Sequence, residues 1–214
     1  MATILVTGGA GYVGSHCCLA LKRAGHNPVV LDNLSNGHKQ FVRWGAFEQG
    51  DVRDKARLSE VFAKHAPEAV IHCAASIEVG ESVKHPGRFY ENNVAGALTL
   101  FDVMHESGVE AFVFSSTCAI YGEPLALPMD ETHRQQPVSP YGWTKLMVER
   151  ISRDCSAAYG TKFAHLRYFN AAGASPEERI GERHDPETHA IPLALFTLLG
   201  RRDSFKVFGA DYGT

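Results

Sequence analysis

Short apolar runs alternate with longer amphipathic runs along most of this 214-residue chain. Residues 3–7 have the composition of a buried strand, and apolar residues then recur at helical spacing over 13–24, just before Gly25. The same alternation predicts further strands at 28–31, 46–50, 69–73, 111–115 and 162–168, and helices at 54–65, 86–107 and 140–159. Strands separated by helices of this length pair in parallel through right-handed crossovers. The sequence therefore predicts an α/β fold, a doubly wound parallel sheet with helices on both faces.

The chain changes character after residue 170. Residues 171–188 are polar and rich in Glu, Arg, Pro and Gly, a stretch too long for a simple connection and more typical of a functional loop. Helical patterning resumes at 191–199, and 205–208 could form one more strand. The last residues, 209–214, have turn composition, as expected of a cut inside a larger protein.

Composition and charge exclude several classes of protein. The chain has 21 Lys+Arg against 24 Asp+Glu, and no basic block, so nucleic acid is not an expected partner. No apolar run approaches the roughly 20 residues that cross a bilayer, and the first residues lack the basic segment of a signal peptide. The five cysteines form no C-x-x-C motif, which favours free thiols in a reducing cytoplasm.

The segment VTGGAGYVGSH spaces Gly8, Gly11 and Gly14 three residues apart, directly after a predicted strand and at a predicted helix start. Such glycines permit a tight turn, close approach of the backbone to a pyrophosphate, and close packing of helix on sheet. The helix N-terminus offers N–H groups and a positive dipole end to that anion. An ordinary tight turn would also explain the triplet, and Asp32 and Asp51 could be turn and loop acids. However, an acid at position 32, where the second strand ends, can accept bonds from a ribose diol and repels a 2′-phosphate, which favours NAD over NADP.

Tyr141 and Lys145 stand four residues apart near the start of a predicted helix, so their side chains share one face. A free tyrosine has a pKa of about 10, and a neighbouring ammonium or a positively charged nicotinamide would lower that pKa. The pair could therefore act as a general base, although a Tyr–Lys pair on a solvated face is a common alternative. The preceding strand ends in Ser115, Ser116 and Thr117, hydroxyls at the edge where parallel sheets bind ligands. A hydroxyl beside the phenolate could relay a substrate proton.

Together, the glycine turn, Ser116-Thr117 and Tyr141-x-x-x-Lys145 resemble the extended short-chain dehydrogenase/reductase family. Five further segments of the chain resemble the sugar-nucleotide 4-epimerases of that family. They are AASIEVGESV (74–83), YENNVAGAL (90–98), SPYGWTKLMVE (139–149), RYFNAAGA (167–174) and IGERHDPETHAIPL (180–193). The resemblance implies an NAD-binding Rossmann domain at 1–170 and the incomplete start of a UDP-sugar-binding region at 171–214, with most of the small C-terminal substrate domain missing. It also implies the redox-neutral 4-epimerisation of UDP-glucose and UDP-galactose through a transient 4-keto sugar, a step of galactose metabolism.

The resemblance further implies roles for individual residues. Tyr141 would be the catalytic base, Lys145 its partner and a ligand of the nicotinamide ribose, and Thr117 the proton-relay hydroxyl. The positions lining NAD would be Gly8, Gly11, Tyr12, Val13, Gly14, Asp32, Asn33, Leu34, Ser35, Asn36, Gly37, Asp51, Val52, Cys73, Ala74, Ala75, Ile77, Asn92 and Phe169. Those touching the UDP-sugar would be Thr117, Tyr141, Asn170, His189, Lys206 and Phe208. Some relatives carry a lysine where Ile77 stands, and Ile77 cannot donate to the cofactor, so that contact is absent or supplied elsewhere.

Two other functions stay open. A sugar-nucleotide dehydratase or decarboxylase on the same scaffold would need an acid where this chain has Cys118-Ala119. The second open function is a non-catalytic NAD-binding fragment. A hydride-transfer site that is open to water would not exclude the water from which a keto intermediate must be protected. We expect no metal, since His184 and His189 lie in an acidic loop, interpreted as solvated, without an H-E-x-x-H motif or a cysteine pair. Helices such as 86–107 and 140–159 could pair two copies as a homodimer.

Overall fold

The computed structural model describes residues 1–207 and 209 and divides the chain into two compact units, 1–171 and 172–214. In the first unit, six parallel strands form one sheet in the order β3-β2-β1-β4-β5-β6. The strands are Thr3–Thr7 (β1), Asn27–Asp32 (β2), Ala46–Gln49 (β3), Ala69–His72 (β4), Ala111–Thr117 (β5) and Lys162–Tyr168 (β6). The chain runs outward from β1 in both directions, which confirms the predicted doubly wound sheet.

Six α-helices accompany this sheet. They are Tyr12–Arg23 (α1), Lys55–His65 (α2), Val79–Lys84 (α3), Pro86–Phe89 (α4), Gly96–Glu106 (α5) and Pro140–Tyr159 (α6). Helix α6 has the predicted limits, because the Ser139 hydroxyl accepts a hydrogen bond from the N–H of Gly142 and Gly160 ends the helix at φ +77°. The single helix predicted over 86–107 is wrong in detail, since a π-helical turn at Tyr90–Ala95 separates α4 from α5.

Alternate side chains of the central strands pack on opposite faces of the sheet, as expected for strands covered on both sides. On one face Leu5 packs in a large cluster with side chains of α2 and α5, including Phe62 and Leu100. On the other face Val6 packs with Val30 and with Cys18 of α1. This burial fixes the register of the sheet and therefore the positions of the residues that follow each strand at its carboxyl end.

The second unit contains a two-stranded antiparallel pair, Ala174–Ser175 (β7) with Ile180–Gly181 (β8), and one helix, Ala190–Leu198 (α7). The strand predicted at 205–208 is wrong over 205–207, which are exposed and pair with no strand within the described residues. Phe208 lies outside the described residues. Among the helices that the structure describes, none is long and apolar enough to span a membrane.

Candidate active site

The turn between β1 and α1 brings bare backbone to the carboxyl edge of the sheet. Gly8 adopts φ +70°, and a Cβ there would lie 2.6 Å from the backbone nitrogen of Ala74, which follows β4. A Cβ at Gly14 would collide with the carbonyl oxygen of Gly8. Gly11 caps α1 without a side chain. The turn therefore leaves the helix N-terminus open to an anion, and these residues fit a pyrophosphate.

Asp32 ends β2 beside this turn and is buried. Its Oδ2 accepts a hydrogen bond from the N–H of Ala10 at 3.0 Å, and its Oδ1 accepts one from Leu34 at 2.8 Å. Burial raises the pKa of this carboxyl, and the two backbone bonds oppose that rise. A Cβ on Gly37 would lie 2.7 Å from Asp32 Oδ1, so the following loop packs closely on the carboxylate. Each carboxylate oxygen keeps a second lone pair, which a ribose hydroxyl could use.

Asp51 links the loop after β2 to the loop after β3, and the sequence analysis predicted that both loops contact the cofactor. Asn33 donates to its Oδ2 at 2.9 Å, and Arg53 donates to its two oxygens through Nε and Nη2, both at 2.8 Å. The hydrogen bonds from Arg53 hold the pKa of Asp51 well below its usual range, although burial opposes them. Asp51 therefore stays ionised and fixes the loop after β2 against the loop after β3.

A buried asparagine that sequence reasoning missed connects the loop after β4 to α6. The Oδ1 of Asn93 accepts from the N–H of Ser76 at 2.8 Å, and its Nδ2 donates to the Ser76 carbonyl at 3.0 Å and to the Thr144 hydroxyl at 3.1 Å. The neighbouring Asn92, which the sequence did single out, donates to Asn93 Oδ1 at 2.9 Å. Both residues lie in the π-helical turn, a feature that often marks functional sites.

The three residues predicted to carry the chemistry come together at the end of β5. Lys145 is only 2% exposed, and its Nζ donates to the Ser115 carbonyl at 2.8 Å. The same Nζ lies 5.8 Å from the centre of the Tyr141 ring. The Thr117 oxygen accepts from the N–H of Ala119 at 3.1 Å, and Thr117 lies close enough to Tyr141 to lower the pKa of the phenol. Because its oxygen already accepts a bond, the Thr117 hydroxyl can give its own proton to the phenol oxygen.

The protonation states of this pair differ from the sequence-based expectation. Burial raises the pKa of Tyr141 above its ordinary value, and the neighbouring Thr117 only partly offsets that rise. Burial also lowers the pKa of Lys145 to about 8. The expected lowering of the tyrosine pKa is therefore wrong for the protein alone, because desolvation of the phenolate by burial is the largest effect on that pKa. A second positive charge at this edge would be needed to favour the phenolate.

Glu149, one helical turn beyond Lys145, is a further buried residue that the sequence analysis missed. Its Oε1 accepts from the Ser116 hydroxyl at 2.6 Å and from Arg167 Nε at 3.0 Å, and its Oε2 accepts from Arg167 Nη2 at 2.8 Å. Arg167 also donates to the Tyr121 hydroxyl at 2.9 Å. These bonds hold the residue next to Thr117 and the segment after β5 against α6. The spacing Tyr141, Lys145, Glu149 is the signal that could have found it.

The other predicted residues lie at several places in the chain. Phe169 and Asn170 follow β6 and are exposed, at the edge where Thr117 pairs with Tyr168. The remaining cofactor candidates follow the ends of β1, β2, β3 and β4 or lie in α1 and the π-helical turn. His189 and Lys206 belong to the second unit, and Phe208 is outside the described residues.

Comparison with known proteins shows the family to which the chain belongs. A family model described as "NAD dependent epimerase/dehydratase family" matches residues 4–211, so the chain belongs to that family. A curated relative from Rhizobium leguminosarum bv. trifolii, "UDP-glucose 4-epimerase", is 62% identical over 212 residues, which are 99% of this chain and 65% of the relative. The chain thus spans about two thirds of the length of that relative. The predicted resemblance to sugar-nucleotide 4-epimerases is confirmed.

Solved structures agree with the sequence comparison. UDP-glucose 4-epimerase from Brucella ovis, in complex with NAD, superposes with a TM-score of 0.97 at 50% identity, covering 100% of this chain and 66% of that one. The enzyme from Bifidobacterium longum, in complex with NAD+ and UDP, gives a TM-score of 0.93 at 34% identity, covering 99% of this chain and 67% of that one.

Proposed function

We propose that this chain carries the NAD site and the catalytic residues of a UDP-hexose 4-epimerase that interconverts UDP-glucose and UDP-galactose. The observation that carries this proposal is the meeting of Thr117, Tyr141 and Lys145 at the carboxyl edge of the sheet. The bare glycine turn at the same edge supports a dinucleotide there. When bound, NAD+ would supply the acceptor for the hydride of the sugar C4 and return it to the opposite face of the 4-keto sugar.

In this proposal the chain's own residues move the proton. Tyr141, as phenolate, takes the proton of the C4 hydroxyl, and Thr117 relays it between substrate and phenol. Lys145 keeps one N–H on the Ser115 carbonyl, which leaves its other donors for ribose hydroxyls. Because burial raises the pKa of Tyr141, the positive charges of Lys145 and of the oxidised nicotinamide are both needed to favour the phenolate.

The cofactor would lie along the carboxyl edge of the sheet. The glycine turn with Tyr12 and Val13 would hold the pyrophosphate, Asp32 and the loop 33–37 the adenosine ribose, and Asp51-Val52 the adenine. Residues 73–77, Asn92 and Phe169 would line the nicotinamide half. Ile77 offers no donor, so a contact made by lysine in some relatives is absent or comes from another residue.

The finer parts of the proposal concern the sugar nucleotide and the assembly. Asn170, His189, Lys206 and Phe208 would touch the UDP-sugar, in a cytoplasmic enzyme of galactose metabolism. Two copies would pair through the helices at 86–107 and 140–159. Exposed apolar side chains on these helices support the pairing: Leu98, Trp143 and Met147.

A non-catalytic NAD-binding fragment is the second candidate function, and the raised pKa of Tyr141, which disfavours the phenolate in the protein alone, favours it. A dehydratase or decarboxylase is disfavoured, because the residue after Thr117 is Cys118, whose thiol pKa burial raises. A thiol whose pKa is raised is a poor replacement for the acidic group that such relatives place there.

Two measurements on the purified chain test the proposal. Mass spectrometry should detect a co-purifying nicotinamide dinucleotide, and added UDP-galactose should give NADH fluorescence or UDP-glucose, at a rate well below that of a full-length relative. Tyr141→Phe should retain NAD and lose both signals, whereas Tyr159→Phe, an exposed tyrosine at the far end of α6, should keep both. A wild-type rate in Tyr141→Phe would show that the base is misassigned. NAD binding without any reaction would favour the non-catalytic fragment.

A further inference from the structure

Four side chains of the second unit converge within one short segment. Glu182, His184, Glu187 and His189 each direct a ligand atom toward the others, and these atoms all lie within 4.8 Å of one another. We call these residues the 182–189 cluster. The sequence analysis interpreted this segment as a solvated loop, which is wrong for its carboxylates, because the side chains of Glu182 and Glu187 are only 12% and 7% exposed.

Hydrogen bonding within the cluster is incomplete. The Nδ1 of His189 lies 2.8 Å from Glu187 Oε1 and 3.1 Å from Glu182 Oε1. The Nδ1 of His184 lies 3.6 Å from Glu182 Oε1 and 3.6 Å from Glu187 Oε2, too far for a hydrogen bond. It is buried and without a hydrogen-bond partner within the described residues. A buried ring nitrogen that lies near two carboxylates without a hydrogen bond is unsatisfied, and a cation bound by all three groups would satisfy it.

The distances match the edges of a metal coordination shell. Four ligands at roughly 2.0–2.1 Å from a tetrahedral zinc ion stand about 3.4 Å from one another. Four separations between nitrogen and oxygen, measured to Glu182 Oε1 and to both oxygens of Glu187, range from 2.8 to 3.6 Å around that value, and one ligand atom from each of the four residues lies within 4.8 Å of the other three. We propose that the 182–189 cluster is a structural zinc site, ligated by the Nδ1 atoms of His184 and His189 and one oxygen each of Glu182 and Glu187.

The charges and the surrounding bonds support a divalent cation of this type. Two carboxylates and two neutral imidazoles balance a charge of +2, and the nitrogen ligands disfavour Ca²⁺ and Mg²⁺, which prefer oxygen alone. The side chains of Glu182 and Glu187 are only 12% and 7% exposed, and a cation bound by both carboxylates would offset the cost of burying two like charges close together. The backbone N–H groups of Thr188 and His189 both donate to Glu187 Oε1 at 2.9 Å, as outer-shell donors orient a ligating carboxylate.

The zinc would fix the loop that carries His189. Ligation through Nδ1 leaves Nε2 as the remaining N–H of that imidazole, on the far side of the ring. If the function proposed above is right, this N–H is the atom that could donate to a phosphate of the sugar nucleotide. The metal site itself does not depend on that function, since its test uses neither NAD nor UDP-sugar.

The test is metal binding by the whole chain, purified without a polyhistidine tag and treated with a chelator. Calorimetry should show one zinc per chain, and cobalt(II) should give the intense visible absorption of a tetrahedral site. His184→Ala should weaken zinc binding by at least about 100-fold, more than the roughly 10–100-fold cost of losing an outer-shell partner. Glu182→Gln, which keeps the side-chain volume, should do the same, and the exposed His85→Ala is the matched control.

Circular dichroism should show that both cluster variants remain folded. Absence of stoichiometric zinc, an octahedral cobalt spectrum, or zinc affinity retained in both cluster variants would each overturn the proposal. If His184→Ala does not fold, Glu182→Gln alone decides, and its unchanged zinc affinity would have the same consequence.

Discussion

Truncating Glu149 to alanine tests whether the network beneath the end of β5 supports the site. The Glu149 side chain is 1% exposed, and the Arg167 side chain that it pairs with is 12% exposed. Removing the carboxylate leaves this guanidinium largely buried without its partner and takes the acceptor from the Ser116 hydroxyl. Removing one partner of a buried ion pair costs about 3–5 kcal/mol. For a chain of this size that cost lowers the melting temperature by roughly 6–20 °C.

The assay is urea unfolding followed by circular dichroism, with a matched control on the same helix. Asp154 pairs with Arg150 at 3.0 Å, but their side chains are 62% and 75% exposed, so Asp154→Ala should change the free energy of unfolding by less than about 0.5 kcal/mol. The double variant of Glu149→Ala with Arg167→Ala should cost less than the sum of the two single variants, by about 1–3 kcal/mol. A loss below about 1 kcal/mol for Glu149→Ala, or strict additivity in the cycle, would refute the reasoning.

The same network predicts a pH dependence. Although burial opposes the change, hydrogen bonds from His165, Arg167 and Ser116 lower the pKa of Glu149 to about 2, from its usual 4.5. A carboxyl whose pKa is depressed by folding contributes its full stability above pH 4.5, and this contribution is lost as the pH falls toward 2. The difference in unfolding free energy between the wild type and Glu149→Ala should therefore shrink over that window.

Three further variants test other buried groups. Burial lowers the pKa of Lys145 to about 8, so the stability of the wild type relative to Lys145→Met should rise by roughly 3 kcal/mol between pH 8 and 10.5, and a flat difference would contradict the burial argument. Burial lowers the pKa of His72 to about 3, so wild-type stability should fall from pH 6.5 toward 3 as the unfolded chain takes up the proton, and His72→Phe should flatten that fall in acid-unfolding curves. Gly14→Ala should abolish NAD co-purification or unfold the chain, because the added Cβ would collide with the Gly8 carbonyl oxygen. The control Gly80→Ala, which has open space around its Cβ, should keep both the fold and the cofactor. Normal NAD binding by Gly14→Ala would count against this turn as the pyrophosphate site.

The strands and helix α6 were predictable because their signals are local. Each central strand is an apolar run, and α6 has a serine cap, a proline at its first position and a glycine stop within its own sequence. The hydroxyls at the end of β5 followed from the strand itself, and their nearness to Tyr141 followed from the rule that parallel strands end at one edge.

The features that were missed depend on contacts between distant residues. Asn93 binds Thr144 across 51 residues, and Ser116 binds Glu149 across 33, so no local pattern contains either bond. The π-helical turn contains Asn92 and Asn93, and the bonds of Asn93 reach Ser76 and Thr144, which are distant in the sequence. The 182–189 cluster escaped for a related reason, because its ligands meet in an irregular loop and not at helical spacing.

The bond from Lys145 to Ser115 is made to a main-chain carbonyl. No substitution of the residue at position 115 can delete that acceptor, so the placement of the ammonium is insensitive to mutation there as long as β5 keeps its register. The side chain at 115 can therefore vary without removing the acceptor that holds the amine. We expect saturation mutagenesis to find position 115 far more tolerant than position 145.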